Sequence, residues 1–183
     1  MNKIIIYLLA IITMVNSCSS CKKDTLDSNG LPAATQTGAN TFGFLLNGQP
    51  WTPQGNNGTA NLSIDVDFGF NNGIFTISSY KIVNNNSNSK QTFGVGISDS
   101  LNFITSYPKT FTITKNGVLG FSFLQRNGCS FDYFDTTITR TGSLTITKLD
   151  KTNRIIAGTF NAILSQQNCD TVKITEGRFD MKF

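Results

Sequence analysis

Thr141-Gly-Ser-Leu-Thr-Ile-Thr-Lys-Leu-Asp150, Arg154-Ile-Ile-Ala-Gly-Thr-Phe-Asn-Ala-Ile-Leu164 and Asp170-Thr-Val-Lys-Ile-Thr-Glu-Gly-Arg-Phe-Asp-Met-Lys-Phe183 follow one another at the end of the chain. Each is rich in β-branched and aromatic residues at period two, so together they predict three consecutive antiparallel strands. A strand that runs to the last residue predicts that the chain closes its own sheet there. In the second segment Ile156, Gly158, Phe160, Ala162 and Leu164 share one parity. In the third, Val172 and Ile174 are even, whereas Phe179, Met181 and Phe183 are odd. A β-bulge at Glu176-Gly177 accounts for the change, because it adds one residue and Gly177 accepts positive φ. Phe179 then fills the core, and Arg178 and Asp180 point outward.

The rest of the chain is punctuated in the same style. Asn-Gly pairs start at positions 29, 47, 57, 72, 116 and 127, and Asn-Gly is the strongest short-range hairpin signal because both residues tolerate positive φ. Residues 41–46 open the fold, and residues 62–70 alternate cleanly. Residues 74–83 are apolar on both faces. In residues 91–97, Phe93, Val95 and Ile97 point inward, while Gly94 and Gly96 leave the other face bare. Residues 109–115 and 118–125 flank Asn116-Gly117 and read as a hairpin, and residues 100–105 read as a short helical turn. The prediction is an all-β domain: nine to ten short antiparallel strands in a β-sandwich or partly closed barrel, with no substantial helix apart from a signal peptide.

Composition narrows the function classes. The chain has 183 residues, enough for one domain once a leader is removed. Charged residues make up 14 % and the net charge is +4, scattered rather than clustered, so a nucleic-acid surface is not expected. Histidine is absent, which removes His-based triads. Glu176 is the single glutamate, so a paired-carboxylate hydrolase would have to use aspartates, with Asp132 and Asp135 beside an aromatic patch as candidates. Asp65 and Asp67 share a strand face. Calcium needs roughly six to eight oxygens from a curled loop, so no metal site and no cofactor are expected.

The four cysteines divide into Cys18 and Cys21 near the start and Cys129 and Cys169 in the body. The body pair predicts a disulfide, since export places it in an oxidising setting. Lys3 followed by the apolar run of residues 4–15 has the layout of a secretory signal, too short for a bilayer span of roughly 20 residues. Val15-Asn-Ser-Cys18 resembles a bacterial lipobox, which marks Cys18 as the acylation site and leaves Cys21 as the alternative. The expected organisation is a lipoprotein signal peptide over 1–17, a flexible tether over 18–40 and a single β domain over 41–183. Trp51 lies between Pro50 and Pro53, which bars it from a central strand. It reads as a core plug or, with Tyr80, Tyr107 and Tyr133, as a ligand-stacking candidate.

Cys-Lys-Lys-Asp24, Thr37-Gly-Ala-Asn-Thr-Phe-Gly43, Asn47-Gly-x-x-Trp51, Gly142 to Asp150, Ile156-Ala-Gly-Thr-Phe160 and Ile174-Thr-Glu-Gly-Arg-Phe-Asp180 together resemble a family of uncharacterised Bacteroidota lipoproteins, a domain of unknown function. The resemblance implies an envelope location and a β-rich fold, and carries over no catalytic residue. Three readings of function result. The first is a lipid-anchored cell-envelope protein at the outer membrane, a non-catalytic binding or structural module whose partner is a glycan or an envelope protein. The second is a carbohydrate-binding accessory module of a surface glycan system, and the third an Asp-dependent hydrolase. Lipidation has a direct test: cells fed radiolabelled palmitate should label the protein, and globomycin should accumulate its unprocessed form. A protein that takes up no label is not acylated.

Overall fold

The computed structural model describes residues 26–125 and 128–183. The signal peptide, Cys18, Cys21 and Asn127 lie outside the described residues. The described chain is all-β, with two antiparallel sheets packed face to face. Ten strands build them: β1 (Thr41–Leu46), β2 (Gln49–Trp51), β3 (Leu62–Asp67), β4 (Ile74–Ile82), β5 (Lys90–Ile97), β6 (Lys109–Thr112), β7 (Leu119–Gln125), β8 (Thr139–Asp150), β9 (Ile155–Ser165) and β10 (Val172–Lys182). Six form one sheet in the order β2-β1-β10-β9-β8-β6, and four form the other in the order β3-β4-β5-β7. Neither closes on itself, so the fold is a sandwich and not a barrel. The helical turn predicted near residue 101 is a single 3-10 turn, Leu101–Phe103.

The C-terminal meander is the spine of the larger sheet. β10 pairs with β9 on one side and with β1 on the other, so the last strand is central and joins the two ends of the domain. Asn47 and Gly48 both take positive φ, giving the two-residue turn that folds β2 onto β1. Asn116-Gly117 behaves differently. The chain turns there, with the Gly117 amide donating to the Thr114 carbonyl, but β6 pairs with β8 in the larger sheet and β7 with β5 in the smaller one. The expected hairpin is therefore a crossover between sheets: each flanking strand gains more by burying its apolar side against the core than by pairing with its neighbour.

Aromatic rings fill the space between the sheets. Phe42, Phe44, Phe160 and Phe179 come from the larger sheet, and Phe75, Phe93 and Phe121 from the smaller, all at most 3 % exposed. The Phe93 and Phe160 rings stack across the interface with centroids 5.6 Å apart, and Phe44 lies 4.6 Å from Phe93. Such contacts add about 0.5–1.5 kcal/mol each beyond area burial.

The register of β10 against β9 shifts between Ile174 and Gly177. Val172 and Ile174 face the core before the shift, and Gly177, Phe179 and Met181 after it. The reason for the glycine differs from the expected one. Glu176, the extra residue, carries the positive φ of 52°. A Cβ on Gly177 would instead collide with the ring and carbonyl of Phe160. Gly177 is needed for close approach and not for its backbone freedom.

Two further expectations are corrected. Arg178 and Asp180 lie on the outer face of the larger sheet, as parity requires, but Asp180 is buried and Arg178 is largely covered. The segment 26–40, expected to be a flexible tether, runs across them as a strap. Leu31 is fully buried against the domain, and Arg178 pairs with Asp27 at 2.6 Å. Glu176 accepts a bond from the Asn29 side-chain amide. Asp180, 1 % exposed, accepts bonds from the hydroxyls of Thr35 and Thr37 and from the backbone amides of Thr37, Gly38 and Ala39. A polar composition gave the strap little apolar payload beyond Leu31. The meander supplies buried charges as its partners.

Burial acts to raise the Asp180 pKa, but the bonds from Thr35, Thr37, Gly38 and Ala39 outweigh it and hold the carboxyl below its ordinary 3.8. A depressed folded pKa means the stability it contributes is fully present above the unfolded value of about 3.9 and is lost as pH falls through the lower folded value. Asp180→Asn should therefore cost about 2–3 kcal/mol at neutral pH, as charge-assisted bonds are lost, and its urea midpoint should depend less on pH below the unfolded value than that of the parent. Equal midpoints at neutral pH would show that Asp180 does not fasten the strap.

Candidate functional site

The outer face of the smaller sheet carries an open groove of about 310 Å³. Its floor follows from register. Thr76, Gly96 and Gly120 form one cross-strand row over β4, β5 and β7, and Ser78, Gly94 and Ser122 form the next. Strand neighbours lie roughly 4.8 Å apart, so three of six adjacent positions on this face lack a side chain. The result is a trough about 10 Å wide. Ile74, Ser98 and Val118 close one end, with Phe70 at the rim. Phe70 is 55 % exposed and Tyr133 39 % exposed.

Tyr133 forms a wall of the trough, in a loop that the fold fixes from several sides. The backbones of Phe131 and Phe123 exchange two hydrogen bonds, of 2.8 and 3.0 Å, which sews the loop to the edge of β7. Arg140 on β8 donates to the carbonyls of Asp132 and Asp135. Cys129 and Cys169 are joined by a disulfide. The Asp132 carboxylate accepts from the Phe134 amide, and the Asp135 carboxylate accepts from the amide and hydroxyl of Thr137. The Thr137 hydroxyl and amide, followed by the charge of Arg140, hold the Asp135 carboxyl below its ordinary value. The Tyr133 ring rests where a side chain at Gly120 would stand, with the Phe134 ring edge-on at 5.1 Å.

The sequence candidates divide sharply. Trp51 is 2 % exposed, stacks on Phe44 at 4.7 Å and donates its indole N–H to Gln91 at 2.8 Å. It plugs the core and offers no stacking face. Tyr80 is buried, with its hydroxyl donating to the Thr59 carbonyl. Tyr107 is half-exposed, but its hydroxyl donates to Leu149 on the larger sheet, and it does not line the trough. Tyr133 is the one candidate that does. Asp132 and Asp135 spend their carboxylates on loop turns.

A second groove lies on the larger sheet beside the strap, lined by Ser143, Thr145, Thr159 and Asn161 together with Glu176 and Arg178. Its two charged side chains already pair with each other at 3.3 Å. Neither groove is lined by an aspartate, and among the described residues no three His, Cys, Asp or Glu side chains gather as metal ligands. Compared with known proteins, the chain matches no family model, no curated protein and no solved structure.

Sequence reasoning found Tyr133 and the bare face at Gly94 and Gly96, but not the trough. The signal was present in Gly120-x-Ser122 and Thr76-x-Ser78, which share the small-residue alternation of Gly94-x-Gly96. Only the register aligns them. The Cys129–Cys169 bridge spans 40 residues and should contribute about 4 kcal/mol in the chain-entropy view. Reductant should lower the urea midpoint accordingly, and Cys129→Ala with Cys169→Ala should match the reduced protein. An unchanged midpoint would show the bridge to be dispensable.

Proposed function

We propose that this chain is a cell-envelope lipoprotein, anchored by acyl chains on Cys18 or alternatively Cys21 and held at the outer membrane, and that its sandwich is a non-catalytic binding module. Its binding face is the trough on the smaller sheet. The observation that carries this reading is Tyr133. An aromatic side chain left 39 % exposed is held over Gly120 by a strand bridge, an arginine and a disulfide, where a core aromatic would be covered. Rigid positioning of an exposed ring beside an unfilled trough favours recognition, because a preorganised group loses little entropy when a ligand arrives. The absence of histidine and the use of Asp132 and Asp135 as turn residues fit a module without a reaction of its own.

Tyrosine nitration tests the reading. In purified protein Tyr107 and Tyr133 should both react. In intact cells Tyr133 should be protected by its ligand, while Tyr107 reacts as before. Equal nitration of Tyr133 in both settings would sink the assignment. Cys18→Ser should move the protein from the membrane to the soluble fraction unless Cys21 carries the lipid.

A further inference from the structure

The chemistry of the trough restricts what it can hold. None of its lining side chains is charged. An anionic ligand would lose its hydration there without gaining a counter-charge, and would meet the exposed carboxylate of Asp65, the cross-strand neighbour of Thr76 on the same face. Wholly apolar ligands are disfavoured for a different reason. Thr76, Ser78 and Ser122 line the trough with hydroxyls, each able to donate and accept, while the Ser98 hydroxyl already donates to the Val118 carbonyl; an apolar occupant would strip the first three of water and return no hydrogen bond. The Tyr133 ring and the Phe70 ring supply apolar faces at the rim. Flatness comes from the glycines: Gly94 and Gly96 present bare backbone between the hydroxyl rows. The volume of about 310 Å³ sits at the small end of ligand pockets, which run from about 300 to 1,000 Å³, and the groove opens to solvent.

We propose that the trough binds an uncharged saccharide chain. One sugar ring lies over the Gly94–Gly96 floor with its C–H face against Tyr133, and its hydroxyls exchange hydrogen bonds with Thr76, Ser78 and Ser122. This assignment rests on the trough being the binding face. It adds the ligand class: rings that are flat, rich in hydroxyls and free of carboxylate, sulfate or phosphate. The floor glycines act as specificity determinants through the space they leave. Gly96 is fixed by the carbonyl of Phe75, but at Gly94 a Cβ would meet only the Ser122 hydroxyl, at 2.7 Å, and more distant atoms. That position can accept a small side chain once Ser122 rotates.

Calorimetric titration of the full chain in detergent tests the assignment, using neutral gluco-, manno-, xylo- and galacto-oligosaccharides, trigalacturonate as the charged probe and naphthalene as the uncharged apolar one. At least one neutral oligosaccharide should bind. Thr76→Trp should abolish that binding by filling the trough from an exposed position, Tyr133→Ala should weaken it roughly tenfold, and Ile163→Trp on the opposite face should leave it unchanged. Thermal melts of the three variants verify that each is folded, and Gly94→Ala gives a second route to a narrowed floor. Binding of trigalacturonate or naphthalene alone, sensitive to Thr76→Trp, would overturn the saccharide assignment while leaving the binding face intact. Absence of any binding sensitive to Thr76→Trp would overturn the saccharide assignment, and with equal Tyr133 nitration in cells it would overturn the binding face as well.

Discussion

The Phe160 ring holds this molecule together. It lies between the sheets, stacked on Phe42 at 5.4 Å and on Phe93 at 5.6 Å, and contacts Phe44, Phe121 and Phe179 besides. Its position leaves no space for a side chain at residue 177, so the strand beside it carries glycine and a bulge. The bulge in turn decides which way Glu176, Arg178 and Asp180 face. A single packing constraint in the core thus places the polar groups on the opposite side of the strand, and those groups capture the strap. Core and surface are coupled through one strand, which makes the Glu-Gly-Arg-Phe-Asp stretch an architectural joint.

The two faces of the sandwich are built from different materials. On the larger sheet, buried ionic and charge-assisted contacts fasten a polar segment with little hydrophobic area. Buried charges of this kind are costly to leave alone and tolerable only when fully satisfied, and the five donors around Asp180 provide that satisfaction. On the smaller sheet the opposite choice is made. Side chains are withdrawn from the trough, its lining is uncharged, and the order is supplied from outside by the loop that carries Tyr133.

The architecture was legible wherever a local rule sufficed. Period-two alternation located β3, β5 and the C-terminal meander, and the parity switch between Ile174 and Phe179 located the bulge. Spacing and cellular setting paired Cys129 with Cys169. What escaped reading depends on contacts distant in sequence. Asn116-Gly117 has hairpin chemistry, yet its neighbours are claimed by different sheets. The strap looks disordered because its partners lie some 150 residues away. Trp51 and Tyr133 look alike in sequence, but the first faces the aromatic core and the second a glycine. The trough is visible only when three separate small-residue alternations are brought into register.

On the proposed acylation, the clasp between Asp27 and Arg178 would also set an altitude. With the lipid on Cys21, six residues (27 minus 21) separate the membrane from the first fixed point of the domain; from Cys18 the figure is nine (27 minus 18). At no more than about 3.6 Å per residue, the leash is roughly 20–30 Å at full stretch, where a free segment to residue 40 would have allowed more than twice that. Asp27 is clasped on the outer face of the larger sheet, and the trough lies on the outer face of the smaller one. On the proposed acylation the domain would be moored close to the bilayer with a preferred bearing, its open face turned away from it.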